Sequence, residues 1–381
     1  MSFLSSLLKI LLSPVIPIVP KTPISTTTPV STQTVTQLVT QTVTQVLTQY
    51  EYVYLSASCP VCPISTTVPQ GYTLVYYYQI SNPYSQDLND IQVPIELVVN
   101  NPLSYIFCED QACNKPLFSW YEPSGIFWVL IPFIPANGDI VIYLYENGDV
   151  NYPYTGTFGS PLYDNGRGVF YEYFSFYDTL PHEWSTCYNA VSPNYNSTYA
   201  TLPVNPPDGG IGSDYAYPVI GYWIDFYVAL PSTSSSDISS SVMALGVGSC
   251  NTTNTYFIGG GGGDTCGNNA NGFAFCYDNF GTTNQWGVYV GTTQVAPSPL
   301  NYTPNNFALY SIGVLSSSII FQMNYNNQFI YSGSPPISMG NLVILDSIGT
   351  IGLGFVRMRK ATPDGNNLPV LTFTPSGALA S

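Results

Sequence analysis

Residues 127–148 constrain the fold most strongly, because they contain two sheet-forming runs joined by a turn sequence. Residues 127–134 and 140–145 are rich in β-branched and aromatic side chains, which suit the pleated surface of a sheet. Between the two runs, the step Asn137-Gly138 supplies the positive φ that a tight reversal of the chain needs. We therefore predict a β-hairpin here, with strands that belong to the core of a β-domain.

The rest of the chain repeats this pattern in shorter pieces. Candidate strands alternate with turns rich in Gly, Asn and Pro, and no segment of ten or more residues has a clean helical period. We therefore predict an all-β protein in which two stacked β-sandwich or jelly-roll domains follow an extended N-terminal arm. Besides the two runs above, the predicted strands span residues 72–80, 91–99, 105–107, 118–121, 168–178, 219–230, 242–248, 273–278, 286–291, 307–314, 318–324, 328–332, 342–346 and 351–358.

Shifts in composition divide the chain into five predicted parts. The arm is too short and too broken by proline to span a bilayer, so we expect no membrane span and interpret it as an anchor in a partner protein. An atypical export signal is the alternative. The stalk has a four-residue repeat that suits either a helical oligomer seam or an extended strand. The parts are an apolar docking arm (1–20), a Thr/Pro/Gln-rich stalk or linker (21–70), a β-sandwich (71–155), a jelly roll (156–376) and a tail (377–381).

Charged residues are scarce, which limits both the environment and the partners of the protein. They make up 8% of 381 residues, against the usual quarter or so, and the net charge is −15 at neutral pH. A surface of neutral hydroxyls and amides has few groups whose protonation in acid would lower the stability of the fold. The composition therefore suits a protein that is exposed to a harsh external environment. An ordinary low-charge secreted β-protein is the alternative. Seven Lys and Arg residues, three of them crowded at 357–360, cannot form a phosphate-tracking stripe, and we expect no nucleic-acid partner.

An even number of cysteines at short spacings indicates disulfides, although eight cysteines allow 105 pairings. Cys108 and Cys113 would close a small loop, and Cys250 would pair with Cys266 or Cys276. A zinc site built from the first four cysteines is the alternative, which the lack of a second Cys-x2-Cys pair disfavours. The eight are Cys59, Cys62, Cys108, Cys113, Cys187, Cys250, Cys266 and Cys276.

The sequence predicts no enzyme, no cofactor and no metal site. His182 is the one histidine of the chain, so a metal site with two histidines cannot form within one copy. No serine lies in a nucleophile elbow, and the run of glycines at 259–263 lacks the Lys-Ser/Thr of a phosphate loop. A retaining glycosidase needs two carboxylates about 5 Å apart. The adjacent pair Glu109 and Asp110 lies beside cysteines in a predicted loop and does not suit that role.

Sugar contact and glycosylation are the two surface roles for which residues can be named. Aromatic faces stack on sugar rings, although in a chain that is 15% aromatic most such residues belong to the core. The candidates for glycan contact are Trp223, Trp286 and Tyr289. Three Asn-x-Ser/Thr sequons in predicted loops of the second domain are candidate N-glycosylation acceptors, at Asn196, Asn251 and Asn301.

Several segments resemble known modules of surface proteins. Tyr72–Ile80, Leu88–Leu97 and Trp128–Tyr145 resemble the DUF2341 module of bacterial and archaeal surface proteins. In that family such segments precede a concanavalin A-like lectin/glucanase jelly roll, which Val169–Trp184 and Leu353–Pro363 resemble here. The resemblance covers about residues 70–375 and implies two β-domains in this order. The Glu-x-Asp-x-x-Glu strand motif of the glycosidases in that family is absent, so glycosidase activity is not implied.

The whole chain, with its Thr-rich stalk, resembles the turret (vertex spike) proteins of Sulfolobus turreted icosahedral viruses. The resemblance implies a homo-oligomer, a pentamer, that sits on a penton-base protein among the major capsid proteins. It also implies assembly in the host cytoplasm and a place on the virion surface at the capsid vertex, facing a glycan or glycoprotein of the host. The alternative is an archaeal cell-surface, lectin-like protein that binds glycans, which would need an export signal or a membrane anchor.

Overall fold

The computed structural model describes residues 71–147, 155–157, 166–176, 180–181, 183–187, 193–195, 199–203, 209–231, 242–248, 272–278, 285–291, 293–297, 303–346, 350–364 and 373–376. The predicted arm (1–20), stalk (21–70) and tail (377–381) lie outside these residues. No helix in the described part of the chain is long and apolar enough to cross a membrane.

Strands dominate the described residues, as the short β-branched and aromatic runs predict. Helical structure there consists of a 3-10 turn at Pro102–Ser104 and the short helix α1 at Gly166–Val169. The strands are β1 (Thr73–Ser81), β2 (Leu88–Glu96), β3 (Tyr105–Cys108), β4 (Pro116–Leu117), β5 (Ser119–Glu122), β6 (Ile126–Ile134), β7 (Asp139–Glu146), β8 (Thr155–Thr157), β9 (Glu172–Ser175), β10 (Trp184–Cys187), β11 (Asn194–Tyr195), β12 (Ala200–Leu202), β13 (Gly209–Ser213), β14 (Tyr217–Pro218), β15 (Tyr222–Ala229), β16 (Val242–Gly248), β17 (Phe273–Asp278), β18 (Gln285–Val290), β19 (Thr293–Pro297), β20 (Phe307–Val314), β21 (Ser318–Met323), β22 (Asn326–Ser332), β23 (Met339–Asp346), β24 (Ile351–Lys360) and β25 (Phe373–Ser376).

The first sandwich consists of two sheets that enclose an apolar core. Sheet A has the strand order β25-β1-β7-β3-β4, and sheet B has the order β2-β6-β5-β8. Alternate side chains of each strand point inward, and Ile80, Val93, Phe107 and Leu144 are among those that are fully buried in this core. The pairs are antiparallel except for β5 and β8, which run parallel.

The predicted hairpin at Asn137 is wrong, although both of its strands exist. β6 pairs with β2 and β5 in sheet B, whereas β7 pairs with β1 and β3 in sheet A. Asn137 has the expected positive φ of 49°, but the turn carries the chain from one sheet to the other. The β1–β2 connection makes the same crossing beside it, and its Asn82 donates hydrogen bonds to the carbonyls of Ile134 and Pro135. These bonds between the two crossings replace the ladder that a hairpin would form.

The second sandwich is larger and also antiparallel. Sheet C has the order β11-β12-β24-β15-β20-β21-β22, with β9 also paired to β24. Sheet D has the order β10-β13-β23-β16-β17-β18-β19, with β14 also paired to β23. The observed bounds of β16, β17 and β20 coincide with the predicted strands at 242–248, 273–278 and 307–314. The prediction of an all-β protein made of stacked sandwiches is confirmed.

The predicted bounds of the two domains need two corrections. The predicted jelly roll at 156–376 includes β25, but β25 pairs with β1 and extends sheet A of the first sandwich. Without this partner, β1 would be an edge strand with a row of unpaired backbone groups. β8 likewise extends two residues past the predicted end of the first domain at 155 and pairs with β5.

The two sandwiches pack on each other through the outer faces of sheets B and C. Strand β24 is buried at every position from Ile351 to Arg359, although its side chains alternate between two faces. Both of its faces are therefore covered, one by sheet D and one by the first sandwich. The apolar part of this second contact is a cluster of Trp120, Ile126, Trp128, Val169, Phe170, Tyr173, Leu309 and Phe355.

Candidate functional site

Strand register brings four charged side chains together where the sandwiches meet, and we refer to them as the junction cluster. Asp225 of β15 lies directly opposite Arg357 of β24, and Arg359 follows two residues later on the same face. Their face is the outer face of sheet C. Glu122, at the end of β5, faces them from sheet B.

The four charges of the junction cluster form a continuous set of ion pairs. Asp225 Oδ2 accepts hydrogen bonds from Arg357 Nε at 2.8 Å and from Arg359 Nε at 2.9 Å. Arg357 Nη2 donates to Glu122 Oε2 at 3.0 Å. All four side chains are at most 5% exposed. Two cations balance two anions, so the cluster is neutral, which is a condition for burying charges without a large penalty.

Glu122 is also held by neutral donors from both sandwiches. Trp128 Nε1 donates to its Oε2 at 2.6 Å, and Ser124 Oγ donates to its Oε1 at 3.0 Å. The Tyr325 hydroxyl, from the second sandwich, donates at 2.7 Å to Oε2. This one carboxylate therefore joins β5, β6 and the β21–β22 turn.

Tyr325 reaches the junction from a strained position. Asn324 and Tyr325 are the two central residues of the turn between β21 and β22, with φ values of 46° and 63°. Positive φ at a bulky residue is rare and persists where the surroundings fix it. Burial raises the pKa of Tyr325 well above its ordinary value, so its hydroxyl stays protonated and remains a donor to Glu122.

Aromatic rings complete the surroundings of the two arginines. The guanidinium carbon of Arg357 lies 4.8 Å from the ring centres of Trp128 and Phe170, 5.1 Å from Phe355 and 5.5 Å from Trp120. Its Nη1 has no hydrogen-bond partner among the described residues. The negative faces of these rings supply attraction to the cation where oxygen acceptors do not.

The cluster sets the charge state of Asp225. Burial raises the pKa of this carboxyl, but the charges of Arg359 and Arg357 outweigh burial and lower the pKa to about 2. Asp225 is therefore ionised at neutral pH and in moderate acid. For Arg357, burial lowers the pKa, while Glu122 and Asp225 raise it by more, so the guanidinium stays charged.

Beside the junction cluster, a cleft of about 470 Å³ opens between the sandwiches, and we refer to it as the junction cleft. The first sandwich contributes residues 86–89 and Ile91 to its walls, and the second contributes the turns at 220–221 and 315–317 and the end of β24 at 360–363. Cavities between domains are common places for ligands.

Polar contacts across the junction cleft hold its two walls together. Gln92 of β2 donates to the carbonyl of Val169 at 2.9 Å and accepts from the backbone N–H of Lys360 at 2.9 Å. The Lys360 Nζ donates to the carbonyl of Asn89 at 2.7 Å. These hydrogen bonds fix the position of the backbone on both sides of the cleft.

Two of the three predicted glycan-contact residues are buried. Trp223 is fully buried in the junction, where Arg359 covers its ring. The indole packs against Gly313, at which an added Cβ would come within 2.6 Å of the ring. Tyr289 is 7% exposed. Neither can offer a ring face to a sugar, and the prediction is wrong for both. Trp286 lies in β18, but its side chain is outside the described part of the structure.

The predicted disulfide that closes the small loop is confirmed. Cys108 and Cys113 form a disulfide, with Cα atoms 5.1 Å apart. Cys276 is also disulfide-bonded, and its partner is not among the described side chains. The remaining predicted disulfide positions and all three sequons lie outside the described residues, namely Cys59, Cys62, Cys250, Cys266, Asn196, Asn251 and Asn301.

The carboxylates near the disulfide serve the loop that it closes. Asp110 accepts hydrogen bonds from the backbone N–H groups of Asn114 and Lys115 at 3.2 and 2.9 Å. Glu109 forms an ion pair of 3.5 Å with the Lys115 side chain. Within the described residues, no group of three or more His, Cys, Asp or Glu side chains could hold a metal ion. His182 lies outside them.

The junction cluster was not predicted from the sequence, although the sequence contains a signal for it. In a chain with so few charges, Arg357 and Arg359 alternate with apolar residues in one strand, and Asp225 lies in another apolar strand. A charge in such a strand requires a buried partner of opposite sign. Glu122 could not be assigned this way, because its contact depends on how the two sandwiches pack.

One comparison relates the chain to a viral protein. It is 27% identical over 315 residues to uncharacterized protein 562 of Sulfolobus islandicus rod-shaped virus 1. The alignment takes in 72% of this chain and 54% of the relative, so the chain spans about half the length of the curated relative it matches. The chain is thus related in sequence to an archaeal viral protein. No protein-family model matches it.

Solved structures give partial superpositions. A Bacillus licheniformis β-glucanase has a TM-score of 0.36 at 13% identity, over 50% of this chain and 97% of its own. The carbohydrate recognition domain of Emp46p has 0.35 at 12% identity, over 46% and 88%. The exoplasmic/lumenal domain of VIP36 has 0.37 at 9% identity, over 52% and 91%. TM-scores of this size do not establish a shared fold, and the all-β class rests on the strand pairing.

Proposed function

We propose that the chain is a structural virion protein that forms the turret or spike at the five-fold vertices of a capsid and is exposed there for host attachment. The observation that carries this proposal is the junction cluster, which joins the two sandwiches by buried ion pairs. A protein that projects from a capsid must hold its outer domain in a fixed direction, and such a junction does so. The relation to an archaeal viral protein supports the viral part of the proposal.

The energetics of the junction favour one fixed arrangement. Domains of one chain usually move relative to each other, because most interfaces of this kind are modest in size and polar. Here, separating the sandwiches would expose a large aromatic cluster and would leave Glu122 and Arg357 without each other. Removal of one partner of a buried ion pair costs about 3–5 kcal/mol. Arrangements in which one sandwich is tilted away from the other are therefore disfavoured.

In this proposal, five copies surround a closed symmetry axis on a penton-base protein, beside the major capsid proteins. The predicted arm at 1–20 anchors each copy. Placement at a vertex rests on the resemblance of the whole chain to turret proteins. The relative belongs to a rod-shaped virus, and it therefore supports a role in a virus without supporting the vertex itself.

Immunogold labelling of purified virions with antibodies against residues 71–376 tests the placement. We expect label at the capsid vertices, and particles assembled without this chain provide the control. Label on the envelope of the producing cell, with none on virions, would overturn the proposal in favour of a cell-surface protein.

The mass of the full-length protein in solution tests the assembly. We expect a pentamer or larger ring that becomes a monomer when residues 1–49 are removed. A full-length monomer, seen at the concentrations at which virions assemble, would contradict the self-association that a spike requires.

The second candidate function is that of a glycan-binding protein of an archaeal cell surface. The junction cleft favours it, because the cleft has the size of a small-ligand site. The labelling experiment separates the two functions by location.

A further inference from the structure

We propose that the junction cleft binds a neutral saccharide. The proposal deepens the host-attachment role and takes its biological meaning from it, but binding to the cleft can be measured independently of any virion.

The lining of the cleft combines an apolar floor with polar walls. Leu88 and Ile91 are buried beneath it, and Ile220 is 40% exposed. Ser316 and Ser317, both exposed in the turn between β20 and β21, line one wall. A pyranose ring has the matching character, since its C–H groups form an apolar face and its hydroxyls point outward at the rim.

The opposite wall carries acceptors that the backbone holds in place. Asp87 accepts a hydrogen bond of 2.8 Å from the backbone N–H of Ala136 through one oxygen. The register of β2 with β6 is unbroken across Asp90, since Asn89 lies opposite Phe133 and Ile91 lies opposite Ile131. Asp90 nevertheless has a φ of 50°, so the backbone of β2 is distorted there. Next to this distortion, the carbonyl of Asn89 accepts a hydrogen bond from Lys360 Nζ of the other sandwich.

The charge balance of the cleft favours a neutral ligand over an anion. The one cation in the lining, Lys360, already bonds to the carbonyl of Asn89 and lies 3.9 Å from a carboxylate oxygen of Asp90. Asp87 adds a further negative charge to the lining, and the chain as a whole has a net charge of −15. A phosphate or sulfate would therefore meet repulsion without a free cation to offset it.

A pair of aromatic rings, one exposed and one half-buried, lies next to the cleft. Tyr222 is the cross-strand partner of Lys360, which places the two side chains about 5 Å apart at Cβ. The rings of Tyr222 and Tyr171 are 4.6 Å apart, and Tyr171 is 43% exposed. This pair offers a stacking surface for a second sugar ring beyond the one in the cleft.

Calorimetric titration of the full-length protein with glucose, mannose, galactose, N-acetylglucosamine and maltose tests the proposal. We expect at least one of these sugars to bind in the millimolar range, and S316W, which fills the cleft, to weaken that binding by about tenfold or more. Its matched control is S334W, an exposed serine in the loop after β22, outside the lining. We expect S334W to bind as the unchanged protein does.

A second pair of variants separates loss of the site from loss of the fold. Y171A removes the exposed ring, and we expect it to weaken binding of maltose more than binding of the single sugars. Its control is Y215A, at a tyrosine that is 60% exposed elsewhere on the second sandwich. Binding of none of the sugars, or equal binding by S316W and S334W, would overturn the proposal. Neither outcome would change the labelling of virions, so failure here and failure of the virion role are distinguishable.

Discussion

Arg357 bonds to a carboxylate of each sandwich, with Glu122 on one side and Asp225 on the other. Replacing an entire buried ion cluster by apolar residues is often neutral for stability, whereas removing one partner is costly. The ion pairs of the junction cluster are therefore favourable only when all of them form. They form in one arrangement of the two sandwiches, and any other arrangement would leave buried charges unpaired.

We expect Glu122→Ala to lower the free energy of unfolding by about 3–5 kcal/mol, because Arg357 and the Tyr325 hydroxyl would lose their acceptor in a buried site. Urea denaturation followed by tryptophan fluorescence measures the change. The control is Glu109→Ala, which breaks an exposed ion pair with Lys115 and should cost about 0–1 kcal/mol. Equal effects of the two substitutions would show that the junction cluster does not act as a unit.

The depressed pKa of Asp225 predicts how stability depends on pH. Its folded-state pKa of about 2 lies below the ordinary value of 3.8, so the stabilisation is present above the ordinary value and is lost as pH falls through about 2. The contribution is about 2–3 kcal/mol at neutral pH. Denaturation curves from pH 7 to 1.5 should show the advantage of the native protein over Asp225→Asn shrinking below about pH 4. A difference that stays constant down to pH 1.5 would contradict this.

Whether an aromatic residue is a surface platform or a core residue could not be decided from sequence. Trp223 has a neighbour on the adjacent strand, Gly313, that leaves room for its indole, and Arg359 covers the ring. Neither contact is visible without the strand register. The disulfide between Cys108 and Cys113 was predictable, because five residues of separation restrict the geometry on their own.

At the scale of elements, the strands follow from local pattern, but their partners do not. β6 and β7 have the predicted composition and nearly the predicted bounds, yet they lie in different sheets. An Asn-Gly step permits a reversal, and it leaves open whether the reversal stays within a sheet or crosses to the other one. The hydrogen bonds of Asn82, distant in sequence, decide in favour of the crossing.

We expect Asn82→Ala to destabilise the protein by about 1–3 kcal/mol, since it would leave buried carbonyls at the crossing without a donor. Asn82 is 2% exposed and donates to the carbonyls of Gln86, Ile134 and Pro135. Thermal unfolding by circular dichroism measures the effect. Asn114→Ala, which removes an exposed hydrogen bond to Asp110, is the control and should change little. Similar losses in both variants would argue against a special role for the crossing.

At the scale of the whole molecule, the chain does not finish one sandwich before it builds the other. β25 follows the last strand of the second sandwich and pairs with residues 77–80 of β1 in the first. Both ends of the described chain, β1 and β25, therefore belong to the first sandwich, and a β-ladder joins them there. Sequence composition could not indicate this return, because four residues at the end of a chain carry too weak a pattern to predict their partner.

We expect removal of residues 373–381 to make the protein associate, because the backbone groups of β1 would be exposed at the edge of sheet A. Light scattering at increasing protein concentration measures the association. Removal of residues 377–381 alone leaves β25 in place and should have no such effect. Identical scattering by both shortened proteins would show that β25 does not protect the edge.

The position of β25 in the chain affects the order in which sheet A can form during synthesis. Sheet A needs β25, which the ribosome makes long after β7 has been completed at Glu146. Protein synthesis adds about 5–20 residues per second, so β1 waits on the order of tens of seconds for its partner. During that interval, a nascent chain has an open sheet edge and many identical neighbours on the same message. A chaperone that covers β1, or slow initiation that keeps ribosomes apart, would raise the yield of correctly paired chains.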